Sequence, residues 1–416
     1  MKSTLKTLFS NIEIRQKIIF TLMMIFLFRV LSFIPVPFIN REVLSSISQT
    51  GILGYASAFT GGALANFTIM ATGISAYISA SIIIQLLTYA IQGLHDIQKS
   101  PGGDKIIKRY TVVVGVLMAF VISIGTTMTM QSYYGILNNP VWYVYLLIAV
   151  IHATGTGIAV WIGETITEKG FGNGVSLLIF INIISSLPTM IQTTTADVMS
   201  GRLVWYLFLL VIAIIVAVLL AIVVSESSSR KIPIQYSKAS ARGATSFGKA
   251  QNYFPIKLNL TGVMPIIFAS TVMQLFSMLG QYTEGKVADF VNEYLAYGGI
   301  LYSVIMAVLI FFFAYFYSAL IFNPREIADN IQSNGGCIPG IRPGKPTGEY
   351  IEKINKNLTF IGALYLALIA LVPSIIFSAV GFNGLATTSM MIMVGVSLDT
   401  CQKIKTETQS RTYNTF

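Results

Sequence analysis

Charged and chemically reactive side chains are scarce in this sequence of 416 residues. Only 11% of the residues are Asp, Glu, Lys or Arg, and the chain holds two cysteines and two histidines. Cys337 and Cys401 lie far apart and form no CxxC spacing, so neither a structural disulfide nor a zinc site is expected. The sequence also contains no HExxH, Walker A or GxSxG motif. We therefore expect no catalytic residue, no metal ion and no cofactor.

Apolar residues are abundant, at 54% of the chain with a mean hydropathy of +0.71. A water-soluble core cannot hide that much apolar surface, so the bilayer has to serve as part of the solvent. An apolar helix of about 20 residues crosses the roughly 30 Å of hydrocarbon. The chain is therefore predicted to be an all-α polytopic membrane protein with ten transmembrane helices. The predicted runs are 18–34, 69–90, 110–130, 143–163, 175–192, 203–224, 262–280, 298–322, 358–377 and 382–400.

The positions of the basic residues predict the orientation of these runs. With the N-terminus in the cytosol, the segments on the cytosolic side hold 23 of the 27 Lys and Arg residues. Arg41, Arg202 and Lys286 lie on the opposite side, and Arg29 lies within the first run. Because cytosolic connections retain positive charge, we expect both termini to be cytosolic.

Three connections are too long to be simple turns. The connection 35–68 is external and mildly apolar, so we expect it to fold back among the helices instead of lying in water. The connections 225–261 and 323–357 are cytosolic, basic and rich in Pro, Gly and Ser. These two segments are predicted to be docking loops.

The ionisable residues inside the apolar runs leave more than one class of function open. A secondary transporter would place such residues near the bilayer centre. Arg29 and Glu164 are the main candidates, and both lie close to the end of a run. An intramembrane enzyme is a second rival class. His152 lies alone in the fourth run, where a hydrogen bond between packed helices is the expected role.

Several separate stretches carry a family likeness and follow one another over nearly the whole chain. They are Phe28-Arg29-Val30, Phe33-Ile34-Pro35-Val36-Pro37, Gly61-Gly62-Ala63-Leu64, residues 77–87, 166–174 and 230–236, Gly262-Val263-Met264-Pro265, Phe268-Ala269-Ser270, Asn323-Pro324, residues 338–344 and Leu398-Asp399-Thr400. In these stretches the chain resembles the SecY family, the channel subunits of the bacterial protein translocase. The connection 95–109 and the short C-terminal tail depart from the family pattern, which affects partner docking and not the channel class.

The resemblance implies two five-helix halves, 1–200 and 201–416, related by inverted pseudo-symmetry. It also implies a ring of apolar side chains at the narrow middle of the channel. Branched apolar side chains can exclude water and ions without selecting one passing sequence over another. Isoleucine at helical spacing is by itself ordinary, so the ring rests on the resemblance. Its residues are Ile78, Ile82, Ile179, Ile183, Ile267 and Ile392.

A plug and a lateral gate are also implied by the resemblance. The plug is a re-entrant stretch of about 53–67 that includes Gly61, Gly62, Ala63 and Leu64 and seals the channel until it is displaced. The gate lies between the second and seventh runs, where apolar segments leave for lipid. Modest interhelical hydrogen bonds could hold it shut. Its polar residues are Thr72, Ser75, Ser79, Gln85, Ser270, Thr271 and Gln274.

The two basic connections resemble the family's docking loops for the ribosome or the SecA motor. Phosphates or acidic surfaces would favour their charge. The other implied partners are SecE-like and SecG-like small membrane subunits, polypeptides that carry signal sequences, and membrane lipids. The docking residues are Arg230, Lys231, Lys238, Arg242, Lys249, Arg342 and Lys345.

The function that follows is a protein-conducting channel in the bacterial plasma membrane, with no catalysis of its own. It would pass unfolded polypeptides across the bilayer and release membrane segments sideways into lipid. An accessory channel dedicated to one substrate, a plastid-encoded homologue and a secondary transporter stay open as alternatives.

Overall fold

The structure is a computed structural model that describes residues 12–40, 43, 62–63, 66–201, 204–236, 252–282, 299–380 and 387–413. Twelve helices and three short strands lie within these ranges. The helices are α1 (Ile12–Leu31), α2 (Ser75–Ala90), α3 (Gln92–Lys99), α4 (Gly103–Tyr134), α5 (Trp142–Lys169), α6 (Gly174–Met199), α7 (Trp205–Ser227), α8 (Met264–Tyr282), α9 (Ile300–Ile321), α10 (Pro324–Ser333), α11 (Lys345–Val380) and α12 (Thr387–Tyr413). The strands are β1 (Ser229–Tyr236), β2 (Asn252–Lys257) and β3 (Gly336–Cys337).

Each of the ten predicted runs overlaps one helix, namely α1, α2, α4 to α9, α11 and α12. Within the described ranges, five helices are long and apolar enough to cross a membrane, or six if α2 and α3 form one bent span. The helical, apolar character of the runs is therefore confirmed. The number of ten crossings stays a prediction.

The second predicted run begins too early. Residues 69–74 form turns, with Gly73 at φ +44°, and α2 begins only at Ser75. At the other end, Ile91 is extended (φ −106°, ψ 112°), and α3 leaves α2 at an angle of 101°. The predicted start at residue 69 is wrong because apolar composition does not separate a buried turn from a helix.

The chain divides into two compact units, which are 1–205 with 274–293 and 382–416, and 206–273 with 294–381. In the first unit, α4 packs against α2 and α5, and α6 packs against α5 and α12. Two glycines permit close approaches there: a Cβ at Gly155 would clash with the carbonyl oxygen of Ile69, and one at Gly174 would clash with that of Gly163. Small residues at such contacts allow apolar helices to gain dispersion energy over a long interface.

In the second unit, α9 packs against α11. The hydroxyl oxygens of Ser318 and Thr359 lie 2.9 Å apart, and the Asn355 side-chain amide donates to Ser318 over 3.0 Å. On the α8 side, the ring of Phe268 meets Phe313 edge-to-face, with ring centroids 5.6 Å apart. Apolar packing and one buried polar cluster therefore hold these three helices together.

A small sheet of order β2-β1-β3 occupies parts of the two connections predicted to be docking loops. β1 and β2 form an antiparallel hairpin that begins with the pair Ser229 and Lys257. Ile232 and Ile234 of β1 are buried, whereas the side chains on either side of them are exposed. This alternation with a period of two is the strand signal in the sequence. The two connections are therefore more ordered than simple loops.

Candidate functional site

The first two predicted ring residues lie on α2. Ile78 and Ile82 are one helical turn apart and so share a face of the helix. Ile82 is 4% exposed, and Ile78 is half-buried. The backbone N–H of Ile78 donates to the carbonyl of Ile74 over 2.9 Å, which extends the helical bonding pattern before Ser75.

Three further ring residues lie on α6 and α12, which pack against each other in the first unit. Ile179 and Ile183 share one face of α6 and are both buried, and Ile392 of α12 is 2% exposed. The side chain of Asn173 caps α6 by accepting from the Ser176 N–H over 3.4 Å. The cap fixes the residue at which α6 begins and therefore the position of its isoleucines along the helix axis.

The sixth ring residue, Ile267, lies on α8 in the second unit and is 9% exposed. The hydroxyls of Ser270 and Thr271 both donate to its carbonyl, over 2.9 and 2.8 Å. None of the six isoleucines is exposed. Burial agrees with a ring but is also typical of any packed apolar core, so the shared ring stays a prediction.

The end of the predicted plug forms a compact turn. Gly62 has φ +85°, a backbone conformation that favours glycine. The Asn66 side-chain amide donates to the Gly62 carbonyl over 3.0 Å, and the Thr68 backbone N–H donates to the carbonyl of Ala63 over 3.0 Å. The rest of the predicted plug, including Gly61 and Leu64, lies outside the described residues.

The chain that follows this turn is fixed to the first unit. The Val36 N–H donates to the Phe67 carbonyl over 3.1 Å, and the Ile69 N–H donates to the Ile34 carbonyl over 3.0 Å. The Phe67 ring is 1% exposed and contacts His152, with ring centroids 5.4 Å apart. The C-terminal end of the predicted plug segment is therefore held by backbone hydrogen bonds and by the Phe67–His152 contact.

His152 makes the hydrogen bond between packed helices that was predicted for it. Its Nδ1 lies 2.6 Å from the Ser123 hydroxyl of α4, and both residues are buried. Thr72 lies beside it, with its hydroxyl oxygen 3.1 Å from that of Thr156. Sequence reasoning assigned Thr72 to the gate helix, but it precedes α2 and bonds to α5.

The other gate residues bond mostly within their own segments. The Ser75 hydroxyl donates to the Thr72 carbonyl over 2.6 Å, and Ser79 donates to the Ser75 carbonyl over 3.1 Å. The Gln85 amide donates to the Ser81 hydroxyl over 3.1 Å. Ser270 and Thr271 bond within α8 as described above, and the side chain of Gln274 is outside the described set. The hydroxyls thus satisfy local carbonyls, and the gate itself stays a prediction.

The second unit carries an exposed basic surface on its small sheet. Arg230 and Lys231 are exposed on β1, and Arg342 and Lys345 are exposed where the chain enters α11. The Arg342 carbonyl accepts from the Thr347 hydroxyl over 2.8 Å, which fixes this turn to the first residues of α11. Lys238, Arg242 and Lys249 lie outside the described residues.

An apolar core supports this surface. Its buried members come from both strands of the hairpin, from the junction of α9 and α10, from the residue after β3, and from α10 and α11. They are Ile232, Ile234, Ile256, Phe322, Ile331, Ile338, Ile351, Ile354 and Leu358. Residues from connections far apart in sequence thus form one packed module. Its basic side chains are held on a folded scaffold, which lowers the entropy that a partner has to remove on binding.

These features define a polytopic membrane protein that combines buried isoleucines on several apolar helices with an exposed basic module. The SecY family model matches residues 68–401. A relative from Synechocystis, named protein translocase subunit SecY, is 37% identical and covers 96% of this chain and 93% of its own length. The chain belongs to the SecY family, a family of channels and not of enzymes, and is a multi-pass protein of the bacterial membrane.

Two solved structures share the fold at low identity. One is a SecY protein whose plug domain stabilises the closed state of the translocation channel and maintains a membrane seal. It is 16% identical with a TM-score of 0.68, covering 94% of this chain and 92% of its own. The other is canine Sec61 in a ribosome-channel complex from the endoplasmic reticulum. It is 17% identical with a TM-score of 0.63, covering 94% of this chain and 92% of its own.

Proposed function

We propose that this chain is a protein-conducting channel that passes unfolded polypeptides across the bacterial plasma membrane and releases apolar segments sideways into lipid. The observation that carries the proposal is the near full-length likeness to relatives named as protein translocase subunit SecY, and the burial of the predicted ring agrees with it. The six isoleucines come from α2, α6, α8 and α12, which are far apart in sequence, and none is exposed.

The proposed ring closes the channel to small solutes. A constriction of branched apolar side chains is unfavourable for water and ions, and it offers no charge that would retain a passing chain. The segment that ends at Phe67 is the proposed plug. Its fixed C-terminal attachment would let the remainder move while the channel stays assembled.

The proposed gate lies between α2 and α8. The hydroxyls of Ser75, Ser79, Ser270 and Thr271 donate to carbonyls of their own segments, so these four donors stay satisfied whether or not the helices touch. Opening would therefore leave few buried donors exposed to lipid. This property suits a gate that opens and closes repeatedly.

The basic module is the proposed docking surface for the ribosome or for a SecA-type motor, and it would face the cytosol together with both termini. The proposed small membrane partners are SecE-like and SecG-like subunits. The chain would supply no chemistry, and the energy would come from the docked partner. The secondary transporter is not favoured, because the relatives are named as translocase subunits.

Disulfide trapping of an arrested polypeptide tests this function. In a chain that carries Cys337→Ser and Cys401→Ser, an Ile82→Cys variant is expected to form a disulfide with a cysteine in the translocating segment. Val121→Cys is the matched control, because Val121 on α4 is 64% exposed and is expected to face lipid. Equal trapping at both positions, or none at Ile82→Cys, would contradict a channel through the ring.

Depletion of the protein separates the general channel from the accessory one. A general channel predicts that many exported proteins accumulate inside the cell, whereas an accessory channel predicts that one product does. Precursor proteins with uncleaved signal sequences can be counted directly by mass spectrometry.

A further inference from the structure

A buried carboxylate lies at the end of the most apolar helix. Glu226 is the penultimate residue of α7, a helix with no other Asp, Glu, Lys or Arg, and it is 8% exposed. Burial of a carboxylate is costly unless hydrogen bonds replace the lost water. Glu226 is buried despite this cost, in a helix that is otherwise suited to lipid. This indicates a specific role for the hydrogen bonds that it makes.

One hydrogen-bond partner of Glu226 is Asn259, which is 3% exposed. Its side-chain amide donates to the Glu226 Oε1 over 2.7 Å and to the Gly262 carbonyl over 3.0 Å. The Thr261 hydroxyl donates to the Asn259 Oδ1 over 3.2 Å. The Asn259 amide thus joins the Glu226 carboxyl group to the Gly262 carbonyl, so Glu226 fixes Asn259 and, through it, the turn that follows.

This pair lies between two elements of the proposed mechanism. Immediately before it along the chain is the base of the β1–β2 hairpin, where the Leu258 N–H donates to the Ser228 carbonyl over 3.0 Å. Immediately after it, Gly262 turns at φ +60° and α8 begins at Met264, three residues before Ile267. The turn is also close to α11, since a Cβ at Gly362 would lie 3.0 Å from the Leu258 carbonyl oxygen.

We propose that the Glu226–Asn259 hydrogen bond is a positioning link that transmits docking on the β1–β2 hairpin to the start of α8. Arg230 and Lys231 lie on β1, which follows Glu226 along the chain. Ile267 lies on α8, which follows Asn259. A force on the hairpin therefore reaches α8 through a short, hydrogen-bonded turn and not through a flexible loop. This inference rests on the proposed channel function.

The test separates docking from transmission. The purified chain, with its small membrane subunits, is placed in planar bilayers, and ribosomes that carry a signal-bearing nascent chain are added. Two quantities are measured, the affinity of these ribosomes for the channel and the ion conductance gained when they bind. Glu226→Ala is expected to keep the affinity and to lose about tenfold of the conductance gain, the change that about 1.4 kcal/mol produces.

Three further variants distinguish a link from a general loss of stability. Glu226→Gln keeps an acceptor oxygen and is expected to behave like the unmodified chain. Asn259→Asp places two carboxylates together and is expected to lose the conductance gain. Glu226→Gln combined with Asn259→Asp restores a donor and an acceptor in exchanged positions but not the bond to the Gly262 carbonyl, so it is expected to recover only part of the conductance gain. Glu352→Ala is the control, because this exposed carboxylate lies on α11 and forms an ion pair with Lys356 one helical turn away, at 2.9 Å.

The outcomes separate the two proposals. If ribosomes neither bind nor open the unmodified chain, ribosome docking on the basic module is wrong, and the disulfide trapping described above tests the channel function separately. If the unmodified chain opens and Glu226→Ala opens equally well, the positioning link is wrong. The link is also wrong if Asn259→Asp, which removes both donated bonds, keeps the full conductance gain.

Discussion

The two units of the molecule place their predicted site residues in opposite environments. In the first unit, five of the six ring isoleucines lie on α2, α6 and α12, and none is exposed. In the second unit, the basic residues lie exposed on a small sheet and on the turn before α11. An apolar ring avoids preference for a passing sequence, whereas exposed charges make binding to one partner selective. The proposed seal and the proposed docking surface therefore use different chemistry in separate parts of the fold.

The largest expected effect comes from making the ring polar. Ile392→Asn buries an amide among apolar side chains and is expected to destabilise the closed state by about 2 kcal/mol, which raises the ion leak about thirtyfold. Conductance of proteoliposomes without any partner measures the leak. Ile392→Leu is the matched control, because it keeps the volume and the apolar character. A leak unchanged by Ile392→Asn would remove the contrast between the two units.

A smaller effect is expected from the buried pair that holds α4 to α5. His152→Leu leaves the Ser123 hydroxyl without its partner and is expected to lower the free energy of unfolding by about 1.5 kcal/mol. Thermal unfolding of the purified protein measures it. The double variant Ser123→Ala with His152→Leu is expected to recover much of the loss, because neither polar partner is left alone. If the losses of Ser123→Ala and His152→Leu, measured singly, add up to the loss of the double variant, the bond contributes nothing to stability.

Reversal of one charge on the basic module is expected to weaken docking without opening the channel. Arg342→Glu is expected to lower ribosome affinity about fivefold, or about 1 kcal/mol, at low salt, and the loss should shrink as salt rises. Lys353→Glu on the exposed side of α11 makes the same charge change outside the proposed surface. If both variants weaken docking equally, net charge and not the Arg342 turn determines affinity.

The smallest expected effect tests the polar cluster of the second unit. Thr359→Val removes the hydroxyl that lies 2.9 Å from that of Ser318. Interhelical hydrogen bonds between apolar helices contribute about 0.6 kcal/mol on average, so the free energy of unfolding should fall by about that amount. Thr195→Val is the control, since the hydroxyl of Thr195 is exposed and bonds only locally to the Gln192 carbonyl. A loss above 2 kcal/mol would indicate that the cluster acts as one network.

Much of the helical framework could be predicted from the sequence. Apolar runs identify helices well, because a bilayer requires every backbone group to bond within its own segment. The start of α2 could not be predicted in this way, since residues 69–74 are mostly apolar and mostly buried yet form turns. The same limit applies to Thr72, whose bond to Thr156 joins residues 84 apart in sequence.

The sequence contained a signal for the small sheet, but the loop-like composition of the two connections concealed this signal. Basic, glycine-rich connections are typical of loops, but Ile232 and Ile234 alternate with exposed residues as a half-buried strand requires. Glu226 was likewise visible as the only acidic residue of an apolar helix. Its role could not be read from the sequence, because the partner Asn259 lies 33 residues away across a hairpin.

The sequence by itself determined that the chain spans a membrane, where its apolar helices lie and which family it resembles, because these properties depend on local composition and on motifs. Only the tertiary structure decided that Asn259 bonds Glu226, that His152 bonds Ser123 and that two distant connections form one basic module. Such contacts depend on which helices become neighbours. Many packings satisfy the same apolar pattern, and side-chain shape and hydrogen bonding select one of them.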